Sequence, residues 1–188
     1  MPEFITSLDF AILHFLKNTF SCEFLDFLMP VVTALGNGGI VWILAAVALI
    51  ITKKYRKFGF FLLAGLLVGL LIGNVCLKNL VARPRPCWIE DVCLLINNPT
   101  DFSFPSGHTL SSVIAAFILT KANRRFGFVA VPLAALIAFS RLYLYVHFPS
   151  DILASVILGL IIGALTVFLG EKIRKAFANR KARTCEQR

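Results

Sequence analysis

Apolar residues in this chain fall into two kinds of run, and the contrast predicts the architecture. Between residues 4 and 17 they recur at helical spacing (Phe4, Ile5, Leu8, Ile12, Leu13, Leu16), interrupted by Asp9, His14 and Lys17. A helix with one apolar stripe and scattered charges reads as interfacial, lying along a membrane rather than across it. Residues 22–35 form a second mixed stretch, with Glu23 and Asp26 near its start and Pro30 in its middle. It is expected to lie at the surface or to enter the bilayer partway.

The remaining runs are apolar on every side. Their cores, at about residues 39–52, 58–80, 108–120, 126–144 and 152–169, are nearly free of charge and predict five spans. The shorter ones need a turn or so from their flanks. The expected fold class is all-α: an integral membrane helical bundle of five to six transmembrane helices with an N-terminal interfacial helix. It is read as one membrane domain over 1–188: N-terminal interfacial or partly inserted helices at 1–36, a helical core at 37–170 and a basic tail at 171–188. Gly65, Gly69 and Gly73 in the second span, and Ser155, Gly159 and Gly163 in the last, form small-residue ridges. Such ridges let helices approach closely, and here they read as packing within one bundle.

Composition agrees with the pattern. Hydrophobic residues make up 58% of the 188 and charged ones 15%, with a mean hydropathy of +0.82, more apolar surface than a soluble domain of this length can bury. The first residues carry Glu3 rather than a basic run, so no cleavable signal peptide is expected.

The formal charge of +9 is resolved by its distribution. Lys53, Lys54, Arg56 and Lys57 follow the first span, and Lys121, Arg124 and Arg125 follow the third. Lys172, Arg174, Lys175, Arg180, Lys181, Arg183 and Arg188 follow the fifth, so fourteen of the 19 basic residues share one side. By the positive-inside rule that side, with the C-terminal tail, is cytoplasmic in a multi-pass plasma (inner) membrane protein. Lys17, Lys78, Arg83, Arg85 and Arg141 lie opposite, with eight of the ten acids. The charge is therefore a topology signal. Basic and aromatic residues do not interleave as single-strand binding requires, so nucleic acid is not an expected partner.

Three polar clusters fall at the outward ends of spans. In the first, Lys78 is followed after six residues by Arg85-Pro86, within a segment that also contains Arg83-Pro84. An ammonium and a guanidinium suit a phosphate as point charge and planar fork, and the prolines hold the arginines in extended chain. The second, Phe104-Pro105-Ser106-Gly107-His108, opens a span. Serine suits an N-cap, glycine lets a ligand approach the backbone, and helix-start N–H groups attract phosphate oxygens. His108 would then give a proton to a leaving oxygen.

The third cluster is Ser140-Arg141, then His147, then Asp151, with Pro149 suited to a first helical turn. An arginine at a span end is costly unless it meets an anion or a partner. Asp151 is close enough in sequence to accept a hydrogen bond from one imidazole nitrogen of His147, leaving the other to attack phosphorus. Two histidines and an aspartate could instead form a metal-binding triad. Lys78, Arg85 and Arg141 argue against that, because they would repel the ion and can stabilise phosphate charge in its place.

In order, spacing and residue type, these clusters resemble the signature of the type-2 phosphatidic acid phosphatase superfamily, which includes bacterial lipid phosphatases and the vanadium haloperoxidases. The resemblance covers residues 78–151. It implies a nucleophilic His147 that forms a phosphohistidine, an orienting Asp151, and a His108 that protonates the leaving group and then helps activate water. It also implies a phosphate held by Lys78, Arg85, Ser106, Gly107 and Arg141, with no metal or other cofactor. Family members usually have six spans, so the chain departs from the pattern at its N-terminus.

The implied activity is hydrolysis of a lipid phosphate or diphosphate in the bilayer. An outward-facing site suits undecaprenyl diphosphate, a bacterial cell-wall carrier. Phosphatidylglycerol phosphate and phosphatidic acid fit the same residues. A lipid phosphotransferase and a non-enzymatic phosphate-lipid binder are the competing readings, although a binder has no need of the His147–Asp151 pair. Cys87 and Cys93, in the outward loop, are placed where an oxidising environment permits a disulfide.

Overall fold

The computed structural model describes residues 3–186, with side chains through residue 179. Of the tail charges, Arg180, Lys181 and Arg183 have their side chains outside the described residues, as has Cys185, and Arg188 lies wholly outside them.

The chain opens with α1 (Glu3–Phe20), which buries only Asp9 and Leu13. These two are four residues apart and so share one helix face. α2 (Glu23–Leu35) follows, then a turn at Asn37–Gly39 and α3 (Ile40–Ile51). The turn bends α2 and α3 by 44°. It does so because Gly38 and Gly39 both take positive φ, at 58° and 70°, which a side chain would resist. The mixed stretch at 22–35 is thus one arm of a broken apolar pair.

α4 (Arg56–Gly69) runs without interruption through a π-helical stretch (Leu70–Leu77) into α5 (Lys78–Val81). Ala82 ends the helix in the left-handed region (φ 46°), just before the Arg83-Pro84-Arg85-Pro86 segment. A short α6 (Pro86–Ile89) and an irregular loop lead to α7 (Gly107–Ala122), then α8 (Arg124–Tyr143) and α9 (Pro149–Glu186). Among the described residues three helices are long and apolar enough to cross a membrane, or four if the bent α2–α3 pair is one span. The sequence pattern predicts five. The difference lies in α7, which has 16 residues.

α7 is the centre of the bundle. Leu110, Ile114 and Ile118, spaced by four residues, are all buried. Both small-residue ridges press on it. A Cβ at Gly69 would lie 2.6 Å from Ile114, at Gly73 2.4 Å from Leu110, and at Gly159 2.9 Å from Val113. In a lipid setting this close packing, rather than a hydrophobic driving force, holds helices together. A ring of exposed apolar residues faces outward, including Phe27, Phe128, Leu153 and Phe168.

Polar groups sort to the two ends. At one, Asn123 donates to the Tyr55 hydroxyl (3.0 Å) and Lys57 pairs with Glu171 (2.5 Å), joining the basic connections before α4 and α8 to the far part of α9. At the other, Asp9, Arg83, Arg85, Asp101 and Asp151 are drawn together by ion pairs. Cys87 and Cys93 form no bridge; Cys87 Sγ instead lies 3.8 Å from Asn98 Oδ1.

Candidate active site

The fold brings the three polar clusters around one cavity of about 980 Å³. Lys78 comes from the last turn of the long helix and Arg85 from the extended segment after it. Gly107 and His108 come from the start of α7, Arg141 from the end of α8, and His147 from the loop before α9. That loop turns inward through Tyr145, whose φ is 59°. The cavity continues between α3 and α4 along Ile43, Leu63, Leu66, Leu67 and Leu70. One end is thus cationic and the other a trough of aliphatic side chains.

The nucleophile candidate is almost fully enclosed, with His147 at 1% exposure. Burial, with the nearby charges of Arg85 and Arg141, pushes its imidazole down to about 3 against the opposing pull of Asp151, so it is neutral at ordinary pH. Its Nε2 lies 3.3 Å from Arg85 Nη1 and faces the cationic end. Its Nδ1 lies 3.6 Å from Asp151 Oδ2, beyond a direct hydrogen bond. The sequence reading expects a direct contact. Ser103 lies beside the pair, its Oγ 3.4 Å from Nδ1 and donating to Asp151 Oδ2 at 2.5 Å.

Asp151 is held from three sides. Besides Ser103 it accepts the Phe148 N–H (3.0 Å) and one arm of Arg83 (2.6 Å). The other arm of Arg83 reaches Asp9 of α1 at 2.7 Å. Asp9 also accepts from Ser150 N–H (2.9 Å) and Ser150 Oγ (2.5 Å). A buried charge is tolerable only when paired and hydrogen-bonded, and Asp9, Arg83 and Asp151 meet that demand mutually.

Around the cavity the charges are less evenly matched. Lys78 and Arg85 share one carboxylate, that of Asp101, with Arg85 Nη2 at 2.7 Å. Burial raises the Asp101 carboxyl, but the Lys78 hydrogen bond and the charges of Arg85 and Lys78 outweigh it and hold it at about 2. Arg141 has no acidic partner among the described residues. Its Nη1 donates to Thr33 (2.6 Å), and its buried Nε has no partner there. A buried guanidinium on the cavity wall with no carboxylate to pair with suits an anion bound in that cavity.

Of the residues singled out from sequence, Lys78, Arg85, Gly107, His108, Arg141 and His147 line the cavity. Asp151 stands behind His147. Ser106 is turned away: it is fully buried as the N-cap of α7, its Oγ accepting from Thr109 Oγ1 (3.1 Å) and its N–H donating to Ser155 (2.8 Å). Sequence reasoning missed Asp9, Asn37, Asp101 and Ser103 as parts of the site, and gave Arg83 no role of its own. For Asp9 there is a signal, an acid on the same helical face as Leu13. For Ser103 and Asn37 the sequence carries none.

The PAP2 superfamily model matches residues 57–175. The undecaprenyl-diphosphatase of Sulfolobus acidocaldarius is 35% identical over 129 residues, which are 68% of this chain and 62% of that relative. Undecaprenyl-diphosphatase BcrC of Bacillus subtilis is 32% identical, with 80% of this chain and 77% of the relative covered. Among solved structures, a transmembrane PAP2 type phosphatidylglycerolphosphate phosphatase from Bacillus subtilis superposes with a TM-score of 0.75 at 28% identity, covering 91% of this chain and 88% of the other. LpxE of Aquifex aeolicus does so at 0.69 and 26%, covering 85% and 94%. The family match takes in every charged residue that lines the cavity, and the fold that carries them is the one its solved members have, so this chain belongs to the PAP2 superfamily.

Proposed function

We propose that this chain is a membrane lipid phosphatase acting through a phosphohistidine at His147, with its site on the extracytoplasmic side. The observation that carries this reading is the pairing, on one cavity, of a buried neutral imidazole with the three cations Lys78, Arg85 and Arg141, the last without an acidic partner among the described residues. His147 Nε2 attacks phosphorus while His108 gives its proton to the departing lipid oxygen; water then attacks the phosphohistidine, His108 takes its proton, and phosphate leaves. Lys78, Arg85 and Arg141 hold the phosphate oxygens and supply the positive charge that other phosphatases take from a metal ion. Gly107 presents the N–H groups of the α7 start, and Ser106, as its cap, sets that turn. Asp151 orients His147, with Ser103 beside both.

The aliphatic trough between α3 and α4 supports a substrate whose tail stays in the bilayer. Undecaprenyl diphosphate is the preferred candidate, on the strength of the two relatives named for it. Phosphatidylglycerol phosphate is the second, favoured by the Bacillus subtilis structural neighbour. With α7 taken as a crossing and α2–α3 as one broken crossing, the chain makes five passes and leaves its basic tail in the cytoplasm.

The test is phosphate release from detergent-solubilised undecaprenyl diphosphate, phosphatidylglycerol phosphate and phosphatidic acid with chelator present, comparing the native chain with His147→Ala. Release that persists with chelator and disappears in the variant supports the mechanism, and the rates rank the lipids. Release indifferent to the substitution overturns it.

A further inference from the structure

The second catalytic histidine is touched by an element that none of the three motifs includes. Asn37, at the break between α2 and α3, has its Oδ1 2.9 Å from His108 Nε2. The neighbouring residue packs close against the ring: a Cβ at Gly36 would lie 2.6 Å from His108 Cδ2. Gly38 and Gly39, both at positive φ, make the turn that carries Asn37 to this position. The imidazole is therefore held by a hydrogen bond and by close backbone packing. An amide oxygen only accepts, so His108 Nε2 carries the hydrogen of this bond and Nδ1 is left to exchange protons.

We propose that Asn37 is a positioning residue that fixes the tautomer and ring orientation of His108, making Nδ1 the nitrogen that serves the leaving oxygen. The inference rests on the reading of His108 as general acid. As the His147 Nε2–P bond forms and the lipid P–O bond breaks, the Nδ1 proton passes to the departing oxygen, and His108 remains neutral with its hydrogen on Nε2. In the second half Nδ1 takes a proton from water as the water oxygen bonds to phosphorus. The P–N bond then breaks, and its electron pair returns to His147. Asn37 holds the Nε2 hydrogen throughout, so the proton-exchanging nitrogen stays the same in both halves.

Lys78, Arg85 and Arg141 are the cations around His108, and Asp101 is the acid. None of them is altered by a change at position 37, so a carboxylate placed there acts on a fixed background.

The test uses leaving groups of different need. p-Nitrophenolate departs without a proton, whereas the alkoxide of phosphatidic acid needs one. Asn37→Ala is expected to lower kcat on phosphatidic acid by about 10- to 100-fold, at or below the lower end of what general acid catalysis contributes because His108 itself remains, and kcat on p-nitrophenyl phosphate by less than about threefold, with KM little changed. Asn37→Asp keeps the acceptor, restores most of the rate, and moves the alkaline limb of kcat upward by about one pH unit, because an adjacent carboxylate favours the imidazolium. Equal losses on both substrates, no loss at all, or an unmoved limb in Asn37→Asp overturns the proposal. His108→Ala, run alongside, separates the two readings. If it fails to discriminate between the substrates, the general-acid reading falls and this inference with it; if it discriminates and Asn37→Ala does not, only the role of Asn37 falls.

Discussion

Replacing Asp9 by alanine removes the buried carboxylate through which α1 reaches the catalytic loop. Asp9 lines no part of the cavity, yet it accepts three hydrogen bonds, at 2.7 Å from Arg83 and at 2.9 and 2.5 Å from Ser150. Removing one partner of a buried ion pair costs about 3–5 kcal/mol, and Arg83 keeps Asp151, so the lower end applies. For a chain of this length about 3 kcal/mol lowers the melting temperature by roughly 6–12 °C. With Arg83 anchored less firmly, one of the three holds on Asp151 and hence the placing of His147 is loosened, and kcat falls by about ten- to a hundredfold. Asp9→Asn keeps the acceptor shape and loses less on both measures. The assay is thermal denaturation in detergent beside phosphate release. His14→Ala is the control, since its pair with Glu90 (2.9 Å) is half exposed and worth at most about 1 kcal/mol. An Asp9→Ala variant that melts within the shift seen for His14→Ala and keeps full kcat refutes the reasoning.

Asp101 sits on the two cations that a phosphate needs, so Asp101→Asn is expected to tighten inhibition by inorganic phosphate. Its side chain is 53% exposed, and after discounting for solvent about 1 kcal/mol, or roughly fivefold in the inhibition constant, remains; weaker inhibition contradicts the competition. The low value of His147 has a consequence for stability as well as for rate. Its ordinary value is 6.5 and its folded one about 3, so below 6.5 the unfolded chain takes up a proton that the folded chain refuses. Its contribution is therefore full above pH 6.5 and is lost as pH falls toward 3. Melting temperatures in detergent from pH 7.5 down to about 4.5 are expected to fall less steeply for His147→Gln than for the native chain, in proportion to the proton uptake removed; parallel slopes refute it. Asp101, held at about 2, titrates below that window.

Local pattern was enough for the helices, because apolar runs and their breaks are properties of neighbouring residues. It was also enough to put Lys78, Arg85, His108, Arg141 and His147 at one end of the bundle, since each falls at a span end of the same sense; that they line one cavity was left to the packing. The bend between α2 and α3 was written less clearly: Gly38 and Gly39 mark a turn, but not whether the arm before it enters the bundle. What tertiary structure alone decided is the set of partners. Asp9 finds Arg83 across 74 residues, Ser103 meets both His147 and Asp151, and Asn37 meets His108 across 71. No periodicity encodes such pairings. Ser106 shows the converse, a motif serine whose type suits both a phosphate ligand and a helix cap, and whose packing against Thr109 and Ser155 selects the cap. A residue type states which bonds a side chain can make; the partner is chosen by which helices pack closely enough to exclude water and leave no other.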